Sequence, residues 1–264
     1  MPKIGSDSDR GSTPLLAPDE TPVAIVLNTG AASPFVLLGD HAGREIPRSL
    51  GDLGVSAQAM DRHIAWDIGV AGLGQRLSQA LDACFIGQRF SRLVIDCNRA
   101  PQRTDAIPEV SDGVQIPGNC GLMPADARAR HAAIAAPYQA RIAAELDARA
   151  GRPTTLISLH SFTPSMQGFD RPWRFGVLHA EDSPFSLAAL ADLRAAQGDG
   201  LVGDNQPYRM DDVDFTVPHH ARPRGLDYLE LEVRQDLIAD AAGQRWAADL
   251  LADLLPKALR AVSG

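Results

Sequence analysis

The sequence has few cysteines, few basic residues and no long apolar run. Its three cysteines, Cys84, Cys97 and Cys120, show no CxxC spacing. This pattern argues against a disulfide scaffold or a zinc knuckle and favours a reducing compartment, so we expect a cytoplasmic protein. The 33 acidic residues outnumber the 25 Lys and Arg residues, for a net charge of -8. We therefore expect no nucleic acid partner, because phosphate binding needs clustered positive charge.

Apolar runs long enough for targeting or membrane insertion are also lacking. No run approaches the roughly 20 apolar residues that span a bilayer, so we expect no membrane partner. The first 22 residues are rich in Asp, Ser, Gly and Pro, where a signal peptide would need an apolar core. We find no internal repeat and no later linker. The chain is therefore predicted to be a flexible leader (1–22) followed by one domain (23–264).

Short apolar runs alternate with longer helical patterns, and this alternation predicts an α/β layer fold. The helical segments have Ala and Leu at three- and four-residue spacing, with charges between them. The predicted strands cover residues 23–28, 34–40, 84–90, 93–97, 154–160, 174–180 and 228–234. The predicted helices cover residues 66–82, 124–149, 184–197 and 240–262.

Several predicted strands end in polar residues rather than in ordinary turns. The endings read "GDHAG", "IDCNR", "SLHSF" and "LEVRQD". In open α/β sheets, ligands bind beyond the carboxyl ends of the strands. Four such endings from distant parts of the chain therefore predict one pocket at that edge of the sheet.

Two histidines, His41 and His160, each follow an apolar strand directly. Two imidazoles, a carboxylate and a water molecule are the usual composition of a hydrolytic zinc site. Such a metal lowers the pKa of its water to about 7 and polarises a carbonyl. The alternative interpretation is that each imidazole only makes a hydrogen bond at a strand end.

The late segment "YLELEVRQD" alternates with a period of two residues. Tyr228, Glu230, Glu232 and Arg234 share one face of this strand, and the apolar residues between them share the other. The polar face would bring Glu232 to the metal as a base, or it would expose Glu232 and Arg234 as a pair to solvent. The period alone does not distinguish the two.

Seven motifs together resemble the N-formylglutamate amidohydrolase family. In chain order they are "LGDHAGREIP", "DRHIAWDIG", "SRLVIDCNR", "SDGVQIPGN", "SLHSFTP", "GDNQPY" and "LEVRQDL", and the resemblance runs from about residue 34 to 250. That family is similar to zinc carboxypeptidases and aspartoacylase-type deacylases. The resemblance implies a three-layer α/β fold of the phosphorylase/hydrolase type, with a mixed, mostly parallel sheet and helices on both faces. It also implies a zinc-dependent amidohydrolase that removes a formyl or other small acyl group from an acidic amino acid.

The resemblance also implies roles for individual residues. His41 and His160 would bind one Zn²⁺ ion, although iron or cobalt would accept the same ligands. Glu232 would act as the general base and then as the general acid. Asn98 and Arg99 would hold the α-carboxylate of the substrate, since a guanidinium can bind both carboxylate oxygens.

The third metal ligand departs from the carboxypeptidase pattern. Those enzymes place Glu three residues after the first His, but position 44 is Arg here. The motif "DRHIAWD" points to Asp61 as the carboxylate ligand. Glu45 and Asp67 stay open as alternatives, with His63 as a weaker candidate.

Other residues are candidates for shaping the pocket. Arg174 or Arg222 would recognise a second carboxylate, and Tyr208 would donate a hydrogen bond to a developing oxyanion. Two rival functions stay open: a carboxypeptidase-like peptidase and a non-catalytic module that binds small carboxylates. A loop over residues 101–120 that closes the pocket would argue against peptides. The sequence does not indicate an oligomeric state.

Overall fold

The computed structural model describes residues 14–180, 183–210 and 213–263 of the 264-residue chain. The strands are β1 (Ala24–Leu27), β2 (Phe35–Gly39), β3 (Cys84–Gln88), β4 (Val110–Ser111), β5 (Val114–Gln115), β6 (Thr155–Phe162), β7 (Ser165–Met166), β8 (Phe169–Asp170), β9 (Phe175–Leu178), β10 (Val202–Asp204) and β11 (Asp227–Arg234). The helices are α1 (Ala57–Met60), α2 (Val70–Ala80), α3 (Pro124–Arg130), α4 (Ala136–Asp147), α5 (Pro184–Gln197), α6 (Thr216–His220) and α7 (Ala241–Val262). Within these described ranges, no helix is both long enough and apolar enough to cross a membrane.

Seven strands form one mixed sheet in the order β1-β3-β2-β6-β11-β9-β10. The central strands β3, β2, β6 and β11 run parallel to one another, and so do β9 and β10. β1 pairs antiparallel with β3, and β9 pairs antiparallel with β11. Two short hairpins, β4–β5 and β7–β8, lie outside this sheet. The sheet brings the carboxyl ends of β2, β6 and β11 to one edge.

Helices cover both faces of the sheet, as the α/β prediction requires. Leu229, Leu231 and Val233 of β11 pack into the apolar core that α2, α5 and α7 form on one face. Tyr228, on the opposite face of the strand, packs into the second core, which contains α4 side chains such as Tyr138. The predicted three-layer fold with a mostly parallel mixed sheet is therefore confirmed.

The predicted leader, residues 1–22, lies partly outside the described residues, which begin at residue 14. Leu15 and Leu16 pack against the core, and the Ser49 hydroxyl donates to the carbonyl of Leu15 at 2.6 Å. The buried Glu20 accepts a hydrogen bond from the backbone N–H of Arg48 at 2.7 Å. The sequence boundary places residues 14–22 outside the domain, whereas the structure packs them against it.

The predicted strand at 93–97 is absent, although its residues are buried. A strand would offer its carbonyls to a neighbouring strand, but here side chains bind them. The Arg130 guanidinium donates to the carbonyl of Val94 at 3.1 Å, and the Asn119 amide donates to that of Leu93 at 2.9 Å. Apolar content alone therefore predicts the burial of this segment but not its conformation.

Two predicted helices also differ in extent. The helix predicted at 124–149 is interrupted by a π-helical turn over His131–Ala135. Pro137 follows this turn and has no N–H for an α-helical hydrogen bond, which fits a π-bulge at this point. The helix predicted at 66–82 begins at Val70, after Gly69 adopts a left-handed φ of 87°.

Candidate active site

The polar strand ends meet in one cavity of about 760 Å³. His41 follows β2, His160 lies near the end of β6, and Glu230 and Glu232 lie on the neighbouring β11. All four side chains line the cavity and are buried. The parallel pairing of these three strands explains the convergence, because it places their carboxyl ends side by side.

A buried group of His41, Asp67 and His160 is able to hold a metal ion. One ligand atom from each of the three side chains lies within 4.8 Å of the other two. The Asp67 Oδ2 atom lies 3.0 Å from His160 Nδ1 and 3.5 Å from His41 Nδ1. Two imidazoles and one carboxylate match the protein ligands of a catalytic zinc site.

The remaining ring nitrogens support this interpretation. His41 Nε2 lies 2.7 Å from Asp96 Oδ1, and a carboxylate can only accept, so this nitrogen carries the hydrogen. When this ring is neutral it presents an unprotonated Nδ1, a buried atom with no hydrogen-bond partner among the residues that the structure describes. His160 Nε2 similarly lies 3.1 Å from the Ser158 hydroxyl and 3.6 Å from Asp40 Oδ2. Metal-binding histidines characteristically use their other nitrogen in this way, so these residues fit a divalent metal.

The charges around the group also favour a cation. Burial opposes the ionisation of Asp67 and Asp96, but the imidazole of His41 and other nearby positive groups hold the pKa of both carboxyls well below the usual range. Burial likewise opposes a charged His160, yet hydrogen bonds to Asp40 and Asp67 raise its pKa well above the usual value. The aspartates thus stabilise positive charge at this position, whether it comes from protons or from a metal.

Glu232 is placed as a general base would be. It lies beside His160 in the register of β11 and β6, and its side chain is buried. Burial raises the pKa of Glu232 to about 7, and the nearby charge of His160 opposes this rise. Its Oε2 atom has no hydrogen-bond partner among the described residues. The solvent-exposed alternative is therefore excluded for Glu232, whereas Arg234 is partly exposed and pairs with Asp236 at 2.8 Å.

Comparison with known proteins identifies the family of this chain. The sequence model of the N-formylglutamate amidohydrolase family matches residues 33–239. The chain belongs to this family. A solved gene product from Agrobacterium tumefaciens is 37% identical to it, covering 95% of this chain and 100% of that one, with a TM-score of 0.91. A search of curated proteins found no match.

A second solved structure supports the fold of this family member. It is an N-formylglutamate amidohydrolase from Ralstonia eutropha JMP134, 18% identical, covering 90% of this chain and 98% of that one, with a TM-score of 0.63. At this identity the likeness concerns the fold alone. Membership of an amidohydrolase family indicates a hydrolase that acts on a small molecule.

The carboxylate that the structure brings to the histidines in this amidohydrolase is Asp67, not Asp61. The Asp61 side chain is 69% exposed and pairs with Arg44. Asp61 contributes to the cavity lining, but it lies at the C-terminal cap of the short helix α1. Glu45 also points away, to an ion pair with Arg89 at 2.8 Å. Asp67 reaches the site because its backbone N–H donates to the His41 carbonyl at 2.9 Å, which fixes it beside that histidine.

Asn98, Arg99 and Tyr208 all line the cavity of this family member, as predicted. The Asn98 amide is engaged in the protein, since its oxygen accepts from the N–H groups of Phe215 and Thr216 at the start of α6. Arg99 donates to its neighbour's carbonyl at 3.1 Å and lies 3.9 Å from both Asp105 and Asp214. The structure therefore gives Asn98 a role in fixing this loop and leaves the Arg99 guanidinium at the cavity wall.

Arg174 and Arg222 are not part of the cavity lining. Arg174 precedes β9 and donates to Gln197 at the end of α5 at 3.2 Å. Arg222 lies in an exposed turn after α6. Both predictions rested on an arginine near a strand or loop. The Arg174 carbonyl does accept from the Arg234 N–H at the end of β11 at 2.9 Å, but the Arg174 side chain binds α5 instead of entering the cavity.

Sequence reasoning missed Arg92, which joins two site carboxylates in this amidohydrolase. Its guanidinium lies 3.3 Å from Asp67 and 2.8 Å from Asp96. Asp40 was also missed, and it accepts a hydrogen bond from Thr216 at 2.9 Å while facing His160. The sequence signal that could have identified Arg92 and Asp40 is a charged residue next to apolar residues, in "FSRLVID" and "LLGDH". Buried charges of this kind require partners, and the partners here are the metal-site residues.

Proposed function

We propose that the chain is a zinc-dependent amidohydrolase that removes the formyl group from an N-formyl acidic amino acid such as N-formylglutamate. The observation that carries this proposal is the buried His41–Asp67–His160 group with Glu232 beside it, in a cavity of a family member. Its partner would be the small-molecule substrate alone. The cytoplasmic location and the absence of nucleic acid and membrane partners stay predictions from the sequence.

The metal would be held by His41, Asp67 and His160, which fit it as described. When bound, a divalent metal at this position polarises the amide carbonyl and makes a water molecule more acidic. Asp96 and Asp40 would hold the two imidazoles so that each Nδ1 faces the metal. Zinc is the proposed ion because its preferred ligands are imidazole and carboxylate.

Glu232 would move the proton in this reaction. A carboxylate with a pKa near neutrality takes a proton from the attacking water and returns it to the leaving nitrogen. The pKa of about 7 for Glu232 matches this task. Its unpartnered Oε2 supports the assignment, because that atom is available to a water or a substrate nitrogen.

Arg99 would bind the α-carboxylate of the substrate. Its side chain lines the cavity and is only 21% exposed, and the two nearest carboxylates lie 3.9 Å away, too far for close pairing. A substrate carboxylate is able to bind the guanidinium in a two-pronged arrangement. Tyr208 would complete the polar lining with its O–H group.

The size of the cavity supports a small substrate. A volume of about 760 Å³ is within the usual range for small-molecule sites. Asp105, Pro108, Ser111 and Asp112 contribute to its wall, so the 101–120 loop forms part of one side of the cavity. This arrangement favours an acyl amino acid over the C-terminus of a peptide, the rival enzymatic substrate.

The test compares hydrolysis of N-formylglutamate, N-formylaspartate, their N-acetyl counterparts and a C-terminal dipeptide by zinc-loaded protein. We expect the formyl substrates to be cleaved fastest and the activity to disappear after chelation. Cleavage of the dipeptide alone would support the peptidase. Tight binding of the substrates without turnover, and without retained zinc, would support the non-catalytic binding module and overturn the proposal.

A further inference from the structure

Arg171 is a buried cation without an acidic partner. Its residue is 7% exposed, and among the described residues no carboxylate lies within 4 Å of its guanidinium. Its Nη1 atom donates instead to neutral groups: the carbonyl of Thr163 at 3.3 Å, the hydroxyl of Thr163 at 3.1 Å and the hydroxyl of Tyr208 at 3.1 Å. By contrast, the Arg92 guanidinium forms ion pairs with two aspartates, Asp67 and Asp96.

The neighbours of Arg171 form part of the cavity wall. Thr163, Met166 and Tyr208 all line the cavity, and Arg171 contacts each of them from behind. Its guanidinium carbon also lies 4.9 Å from the centre of the Tyr208 ring. The positive charge therefore lies directly behind the cavity lining.

The hydrogen bond to Tyr208 fixes the direction of the phenol hydrogen. Because the phenol oxygen accepts from Arg171, its own hydrogen is available for another acceptor. Tyr208 lines the cavity, so an acceptor within the cavity is the natural partner. A phenol backed by a cation prefers an anionic acceptor, because a buried charge without a counterion is costly.

The field of Arg171 reaches other groups of the cavity. Burial lowers the pKa of His63 to about 4, and the charge of Arg171 acts in the same direction. Burial and Glu232 raise the pKa of Tyr208, while Arg171 opposes the rise. A substrate anion near these side chains would therefore be attracted by Arg171.

We propose that Arg171, acting through the Tyr208 hydroxyl, selects substrates whose side chain carries a carboxylate. Arg171 is then a positioning residue and Tyr208 is the group that touches the substrate. The inference rests on the proposed function and assigns the second carboxylate to this pair, in place of Arg174 or Arg222. Arg99 keeps the α-carboxylate that all amino acid substrates share.

The experiment compares N-formylglutamate with N-formylglutamine, which has the same length and no side-chain charge. The kcat/KM ratio of the two substrates is measured for the wild-type protein and for Arg171→Met, Arg171→Lys and Arg174→Met. We expect Arg171→Met to lower the ratio by about 10- to 100-fold, mainly through KM, because one charge-assisted hydrogen bond is lost. Arg171→Lys should recover part of the ratio, and Arg174→Met should leave it unchanged.

A parallel measurement separates this inference from the proposed function. Calorimetry on the metal-free proteins, which do not turn the compounds over, gives the dissociation constants of both compounds, and the ratio of these constants should follow the same order of variants. Equal losses on both compounds in Arg171→Met would show that Arg171 only holds the β7–β8 hairpin to the Tyr208 loop. Equal losses in Tyr208→Phe would assign the phenol to the reacting carbonyl. Either result overturns the selection of acidic side chains.

Discussion

Replacing Asp67 by Asn and, separately, Asp61 by Asn tests the metal centre most directly. The two aspartates lie six residues apart and have opposite surroundings. Asp67 is buried and interacts with His41, His160 and Arg92. Asp61 is 69% exposed and pairs with Arg44. The same chemical change at both positions therefore compares a buried carboxylate with an exposed one.

The structure predicts different losses of stability and of zinc affinity for the two substitutions. Asp61→Asn removes one surface ion pair, which contributes at most about 1 kcal/mol to stability. Asp67→Asn leaves Arg92 and two imidazoles without a shared carboxylate, and breaking such a buried pair costs about 3–5 kcal/mol. Substituting a residue that only hydrogen-bonds to a metal ligand already lowers metal affinity by about 10- to 100-fold. Substituting a ligand itself should therefore lower the zinc affinity by more than about 100-fold.

The assay is zinc titration with a competing chelator, together with urea unfolding of the metal-free proteins. Circular dichroism would first establish that each variant is folded. We expect Asp61→Asn to bind zinc as the wild-type protein does and Asp67→Asn to lose it. If Asp61→Asn loses zinc while folded Asp67→Asn retains it, the reasoning from burial and distance is refuted and the sequence-based choice is restored.

Four further predictions concern Glu232, Asp96 and Arg174. Glu232→Gln should lower kcat/KM by about 10²- to 10⁴-fold with the zinc content retained. In the metal-free protein, folding raises the pKa of Glu232 from 4.5 to about 7, so the folded state favours the protonated carboxyl. Between pH 4.5 and 7 the wild-type protein should therefore lose up to about 3 kcal/mol more free energy of unfolding than Glu232→Gln, as measured by urea unfolding. Asp96→Asn should weaken zinc binding by about 10- to 100-fold, because His41 Nε2 then faces a neutral amide in place of a carboxylate, and an unchanged affinity would contradict this role. Arg174→Gln should leave kcat/KM for N-formylglutamate within about twofold, whereas a large loss would return Arg174 to the binding site.

The sequence predicted most of the sheet because its strands carry their own pattern. β11 shows the period of two residues, and β2 and β6 are apolar runs that end in polar residues. The segment 93–97 has the same apolar character but is not a strand. Two of its carbonyls bind Arg130 and Asn119, which are more than 20 residues away in the chain. A local pattern contains no information on such distant partners.

The site was predicted where it follows from strand ends and less well where it depends on loops. His41 follows β2, whereas His160 and Glu232 lie on β6 and β11, and these three strands are adjacent and parallel, so the convergence follows from the topology. The choice between Asp61 and Asp67 depends on a loop that turns so that the Asp67 N–H meets the His41 carbonyl. Neither residue type nor spacing determines that turn. The charge on Arg171 was overlooked for a related reason, since its contacts come from a hairpin and a distant loop.

The irregular segment from Leu93 to Arg99 has a consequence for motion in the cavity wall. Arg130, which belongs to α3, binds this segment through the Val94 carbonyl and also binds the side chain of Asn119. A strand would open only together with its sheet, whereas this segment has no strand ladder and is able to open as a smaller unit, with its own buried side chains and hydrogen bonds. Amide hydrogens such as that of Asp96 should therefore exchange with solvent by local opening, well before those of β6. Substrate entry on the Arg99 side would then be adjustable from a helix that contributes no residue to the cavity.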